Sequence, residues 1–307
     1  MPCVSCRPLG FKPFFLLCAA VCAAVLGVAI YAAPVWALGK MSMQDGKPIE
    51  VTATRELEWD RDGKTYIARG SAKAVQGENS LEGDVLKAYY SDGSGAASVG
   101  GQSVTNTKIN RIEAFGHVVI KSDGNTAYGD QGVYDLTTGE AVLTGGNLIL
   151  ATAQETITAR DRITFNSMTN IMTAQGKARL EHLDDVLESD RLVATFHEVA
   201  GRLELKEMEA IGHVVITTPA EVLTGDRARF VAATNIATID GNVTIRRDNN
   251  VLTGARGQVN LTTRKSRLFG GEGAPVTGTT GGDSAGQPDA SQGTGGKQRV
   301  RGVFYPE

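Results

Sequence analysis

Cysteine is scarce in this chain, and what there is lies at one end. Cys3, Cys6, Cys18 and Cys22 are its four cysteines, all close to the start. Everything after Cys22 offers neither a disulfide framework nor a thiol nucleophile. An excess of positive charge is missing too. Lys and Arg number 31 against 34 Asp and Glu, a net charge of −3, so the basic face that a nucleic-acid binder needs is not available. Beyond residue 38 no stretch shows a convincing helical stripe of apolar residues; Glu181 to Glu188 comes nearest and is short. No Gly-x-Ser-x-Gly stands between a predicted strand and helix as a nucleophile elbow requires, the one match, Gly282 to Gly286, lying in the Gly-rich tail, and no phosphate-binding P-loop is present.

Long apolar runs are also rare, with one informative exception. The segment Phe14 to Ala33 carries no charge, Arg7 and Lys12 precede it, and Val35-Trp36-Ala37 places small residues where a signal peptidase cuts. This predicts a secretory signal over residues 1–37, removed before Leu38. The alternative is an uncleaved membrane anchor, since an apolar run of this length can span a bilayer. Leu17 and Val21 stand before Cys18 and Cys22 where a lipidation site wants a small residue. Cleavage would remove Arg7 and Lys12 and no acidic residue, making the mature chain slightly more acidic. Export and mild acidity fit the periplasm or the cell exterior.

What the chain does have is a repeat. Glu113-Ala-Phe-Gly-His-Val-Val-Ile120 returns as Glu209-Ala-Ile-Gly-His-Val-Val-Ile216. In each copy a Gly-Asp pair follows the first glycine at the same interval: Gly116 to Gly129-Asp130, and Gly212 to Gly225-Asp226. That interval also separates Gly70 from Gly83, Gly176 from Ser189 and Gly241 from Gly254, with a looser copy from Gly146 to Asp161. The return intervals, Asp130 to Gly145, Asp161 to Gly176 and Asp226 to Gly241, are equal to one another as well. A unit of about thirty residues is the signature of a solenoid-like array.

Within each unit the period is two, which predicts strands. Ala237, Ile239, Gly241, Val243 and Ile245 share one face, and Thr238, Asp240, Asn242, Thr244 and Arg246 the other. Turn-like pairs (Asp62-Gly63, Thr138-Gly139, Thr169-Asn170, Thr234-Asn235) sit midway along the return intervals, where tight hairpins need positive φ. The recurrent mid-strand glycine predicts a bend or bulge that curves the sheet. The expected architecture is all-β: an open β-jelly roll, or curved β-solenoid, of repeated two-strand units. It should occupy residues 49–269, after a lead-in over 38–48. The segment 270–307, rich in Gly, Thr, Ser and Gln, reads as a disordered tail ending in an apolar-basic patch, Arg299 to Pro306, that could dock somewhere.

Asp84, Asp130, Asp161, Asp190 and Asp226 look like a carboxylate ladder. Their recurrence once per unit fits turn chemistry, in which Asp accepts from nearby backbone amides, better than catalysis or a metal site. His117 and His213 occupy equivalent positions beside the bend glycines and read as an echo of duplication. His182 and His197 have no obvious partners. No catalytic residue, metal ligand or cofactor is expected.

Lys47-Pro-Ile-Glu-Val-Thr-Ala53, the Gly-x-Val-x-Ile strands, the Leu-x-Gly-Asp segments and Tyr134 to Gly145 together resemble the LptA/OstA-like proteins over roughly residues 47–268. The resemblance implies a periplasmic, non-enzymatic protein that bridges the inner-membrane and outer-membrane parts of lipopolysaccharide export. It implies lipid A acyl chains held in the apolar interior, with LptC-like and LptD-like partners docked on the edge strands. A head-to-tail homo-oligomer would use the same edges. Strand parity then nominates Ala68, Ala72, Val118, Ile120, Tyr134, Leu148, Phe165, Leu180, Phe196, Val214, Ile216, Phe230, Val243 and Ile245 as interior, lipid-facing residues. Small residues among large ones are also what plain core packing looks like. Two other readings therefore stay open: a structural or adhesive solenoid without ligand, and a carbohydrate-active β-helix enzyme. The second needs carboxylates clustered outside the repeat pattern, and none are seen.

Overall fold

The computed structural model describes residues 49–271 and 300–303, apart from 100–101, 123, 200–201, 261 and 264. The predicted leader, the lead-in before Ile49 and most of the Gly-rich tail lie outside the described residues.

Among the described residues there is no helix. Eighteen strands form one sheet: β1 (Glu50–Thr52), β2 (Glu56–Asp60), β3 (Thr65–Gln76), β4 (Asn79–Val99), β5 (Gln102–Ser122), β6 (Asn125–Asp135), β7 (Glu140–Thr144), β8 (Leu148–Ala151), β9 (Glu155–Ala159), β10 (Arg162–Asn166), β11 (Ile171–His182), β12 (Asp185–Val199), β13 (Arg202–Thr217), β14 (Val222–Val231), β15 (Ile236–Arg247), β16 (Asn250–Asn260), β17 (Lys265–Phe269) and β18 (Arg301–Val303). The pairing is an antiparallel meander in chain order, with one parallel exception between β1 and the far end of β4. Where β7 ends, β8 continues along the same neighbour β6, and β9 and β10 likewise share β11. Broken and unbroken strands thus fill equivalent places. The segment Glu181 to Glu188, nearest to a helical pattern in the sequence, is the β11–β12 hairpin.

Each bend is a bulge at the expected glycine. The ladder slips between Phe115 and Val118, Gln175 and Ala178, Ile211 and Val214, and Asp240 and Val243. Gly116, Gly176, Gly212 and Gly241 have φ near +80°, and the next residue (His117, Lys177, His213, Asn242) is also left-handed. Two residues on one strand therefore oppose one on its neighbour, and the strand turns. The aspartates sit at these bends. This corrects their assignment to turns: Asp84 packs against Gly116, Asp161 against Gly176, Asp190 against Gly212 and Asp226 against Gly241. A Cβ on any of these glycines would collide with that carboxylate, so both the backbone angle and the neighbour require glycine. The looser copy also resolves: the bend glycine beside Asp130 is Gly145, and the Gly146 amide donates to Asp130 Oδ2 at 2.7 Å.

The hairpin turns follow a second rule. Asp60, Asp135, Asn166 and Asn260 each accept from backbone amides two or three residues on, at 2.8–3.0 Å. Gly139, Asn170 and Asn235 close these turns at positive φ; in the first turn Lys64 takes that role instead of Gly63.

Bending every strand at the same height folds the sheet into two layers. One holds β2, β7, β10, β17 and the matching halves of the long strands; the other holds β1, β8, β9, β18 and the remaining halves. Their inward residues form one continuous core. The outward faces carry cross-strand ion pairs such as Arg227–Glu209 (3.3 Å), Arg179–Glu188 (2.8 Å) and Arg229–Glu207. Exposed pairs of this kind contribute at most about 1 kcal/mol each and mainly keep that face wet.

Candidate functional site

The interior between the layers is the candidate site. Thirteen of the fourteen residues nominated by parity are buried there, and Tyr134 packs half-buried against the same core. On each bulged strand the inward parity carries through the bend, as from Ala114 to Val118, whereas on the partner strand it switches, as from Leu192 to Leu187. Position inside the core does not make a residue a ligand contact, however. In the middle of the sheet the core is filled. Leu143, Leu150 and Ile163 are fully buried, and Phe165, Leu148, Met172 and Leu192 are 1% exposed.

Towards the last strands the filling fails. An apolar cleft lies here, with about 210 Å³ of interior space and an opening to solvent. One layer supplies Met208, Ala210, Ala228, Phe230, Ala237, Ile239, Val259 and Leu268; the other supplies Leu187, Ile216, Leu223, Ile245 and Leu252. Small side chains make the room. Ala210, Ala228, Ala237 and Gly257 face inward here, where the middle has Leu143, Ile163 and Leu192. Of the nominated residues only Ile216, Phe230 and Ile245 line this cleft. Much smaller voids of about 30 and 20 Å³ touch Ala68 and, separately, Ile120 and Tyr134. Ala72, Val118, Leu148, Phe165, Leu180, Phe196, Val214 and Val243 line none of these three. Leu187, Leu223, Leu252 and Leu268 also face inward, and the first three were missed because the inward parity switches at the bend on their strands.

A polar row at one end of the interior was also missed. Asn79, Asn125, Glu155, Asp185 and Asn250 each open the strand after a hairpin turn, and Glu221 stands just before β14, all at the same inward parity as the apolar residue two places on. Their recurrence directly after each turn was the available signal. Asn125, Glu155 and Glu221 are buried, as are Ser122, His182 and Thr218 from the neighbouring strand ends. Ser122 Oγ donates to Asn79 Oδ1 at 2.7 Å, and the Glu155 and Glu221 amides donate to Thr152 Oγ1 and Thr218 Oγ1 at 3.0 and 3.2 Å. Burial pushes the Glu155 and Glu221 carboxyls up to about 7. His182, which lacked an obvious partner in the sequence, places Nδ1 3.8 Å from Glu155 Oε1. That is beyond a hydrogen bond. Glu221 has no hydrogen-bond partner for either carboxyl oxygen.

The duplicated histidines stand outside, on the polar face. His117 and His213 put Nδ1 2.9 and 2.7 Å from Asp84 and Asp190 across the bends. The Asp190 carboxylate raises the His213 pKa. Among the described residues no group of His, Cys, Asp and Glu has the geometry to hold a metal ion.

Residues 50–170 match the family model described as LptA/(LptD N-terminal domain) LPS transport protein. A protein of Rhizobium meliloti (strain 1021), itself uncharacterized, is 26% identical over 181 residues, covering 56% of this chain and 90% of its own length. A solved structure, LptH, the LptA-homologous periplasmic component of the lipopolysaccharide transport device of Pseudomonas aeruginosa, aligns at 18% identity. That alignment covers 42% of this chain and 83% of LptH, with a TM-score of 0.34. The family match covers less than half of the chain, and the family it names is one of lipopolysaccharide transport.

Proposed function

We propose that this chain is a periplasmic carrier of lipopolysaccharide, bridging the inner-membrane export complex and the outer-membrane translocon. Acyl chains ride between the two layers and the sugars stay outside. The observation that carries the reading is the cleft between β12 and β17: about 210 Å³ of interior space, walled by apolar side chains from both layers and reaching the edge strand β17. Each methylene buried there contributes about 0.8 kcal/mol, so about ten acyl carbons correspond to roughly micromolar binding before the cost of association. Burial of the chains alone also makes the acidic net charge compatible with an anionic lipid. LptC-like and LptD-like proteins are the partners proposed for the edge strands, β2 at one end and β17 at the other.

The test is mass spectrometry of organic extracts from the protein purified from its periplasm, beside lipid A binding in solution. Ala228→Phe fills the cleft without adding charge and should weaken lipid A binding by at least tenfold. Phe230→Asp should abolish it. A folded Ala228→Phe chain that binds lipid A normally, or native protein that neither carries nor takes up lipid, would favour a ligand-free structural solenoid.

A further inference from the structure

The two layers end differently, and the C-terminal strand is responsible for half of the difference. Strand positions from β3 to β16 are filled in both layers, by one bent strand or two short ones. At the last position β17 pairs only with Arg256–Asn260 of β16 and stops at Phe269, before Gly270-Gly271. The remaining half of β16, Val251–Thr253, would be left with a bare edge. Instead β18 covers it, pairing Val251 with Val303, Leu252 with Gly302 and Thr253 with Arg301. This also locates the end of the tail, expected to be disordered: residues 270–300 separate β17 from β18 in sequence, yet both lie along the same strand. At the opposite end the same layer is covered as well, since Glu50 and Val51 of β1 pair in parallel with Ser98 and Val99 of β4. In the other layer, β2 and β17 have no strand on their outer side among the described residues.

We propose that β18 is a replaceable cap. It occupies a strand-acceptor edge on β16 and so limits end-to-end addition of a second copy of this chain to one layer. The inference rests on the reading of the chain as a bridge with docking edges. Three residue pairs with glycine in the middle make a weak strand, and Val300, Arg301 and Gly302 remain exposed, so little apolar burial holds it. The second copy is the occupant the bare edges favour. The outward residues of β2 are Glu56, Glu58 and Asp60; those of β17 include Lys265 and Arg267. Both edges are equally short, both lie in the same layer, and their charges are opposite. Strand addition there sets carboxylates against a lysine and an arginine. With β18 in place the addition stops at that layer; it extends to Val251–Thr253 once β18 is displaced and the β4 tip lifts from β1 of the incoming copy.

The test uses the full chain with two variants. Residues 301 and 303 direct their amides to one side of the strand and residue 302 to the other, so one of Arg301→Pro/Val303→Pro and Gly302→Pro removes the amides facing β16. Hydrogen exchange at Val251–Thr253 reports the cap, and sedimentation velocity over a concentration series reports association. In the variant that uncaps, exchange should accelerate at least tenfold and association should set in at a concentration at least tenfold lower. A peptide of residues 299–307 in excess should reverse both, and Lys265→Glu/Arg267→Glu should remove the association. Unchanged exchange in both variants would overturn the cap. Faster exchange without tighter association would overturn the second copy as its competitor. Lipid content of the unaltered protein is read separately, so a chain without lipid would sink the carrier reading and leave the exchange result to decide the cap.

Discussion

The middle of the sheet and its C-terminal third are built from the same unit, yet one is solid and the other hollow. Around β7 to β12 the facing levels hold Leu143, Ile163 and Phe165 on one layer and Leu148, Leu150 and Ile157 on the other, all 3% exposed or less. Around β13 to β17 the corresponding levels pass to Ala210, Ala228, Ala237 and Gly257, while the bends, registers and ion pairs continue as before. The fold is therefore indifferent to whether its core is full. Backbone pairing and the Gly–Asp bends set the spacing of the layers, and side-chain size alone decides whether they touch. A repeat array tolerates this because each unit draws its stability from its neighbours on either side.

The sharpest way to break that comparison is truncation. Phe165→Ala should cost about 3–5 kcal/mol, the usual penalty for emptying a packed aromatic site. Leu268→Ala, on a wall that already faces empty space and solvent, should cost about 1 kcal/mol, because few contacts are there to lose. Equal losses in denaturant titration would mean that the cleft is as well packed as the middle.

Next in size is a pH effect. Glu155 and Glu221 are held near pKa 7 in the folded chain, above the usual carboxyl value of 4.5. The folded state therefore binds more protons between those values. The stability associated with the neutral carboxyls is complete below about pH 4.5 and is lost as pH rises through 7. For Glu155, the more enclosed of the two, a shift of this size corresponds to about 3 kcal/mol. Glu155→Gln should remove roughly half of the decline measured by thermal unfolding between pH 5 and 8. A variant with the parent slope would show that the polar end of the closed middle is wetter than the structure has it.

The smallest expected difference comes from adding bulk. Ala174→Leu, at a fully buried position of the middle, should destabilise by about 1–3 kcal/mol through overpacking. Ala237→Leu, on the cleft wall, should be close to neutral for stability and should weaken lipid A binding. A stability loss as large at Ala237 as at Ala174 would mean that the cleft closes around its walls.

Much of this was legible in the sequence because it depends on local rules. The period of two placed Val118, Val214 and Val243 inward, and the recurrent glycine marked each bend. What the equal intervals from Asp130, Asp161 and Asp226 to the next bend glycine did not reveal was that the two are partners. Asp226 looked like a turn residue because its carboxylate is short and polar, but its contact is Gly241 on the next strand, a fact of pairing register. The row from Asn79 to Asn250 escaped notice because inward positions were expected to be apolar. His182 and Glu155 are far apart in sequence and meet only because β9 and β11 pair.

By itself the sequence determined the strands, their inward and outward faces, the heights at which they bend and the chemistry of the hairpins, because each is settled within a few residues by sterics, alternation and local hydrogen bonds. Only the tertiary structure decided where the interior is full and where it is open, which buried carboxyls meet which neighbours, and that Arg301–Val303 completes the layer that β17 leaves unfinished. Those outcomes depend on which side chains face one another across two layers, and that pairing exists only once the sheet has folded over.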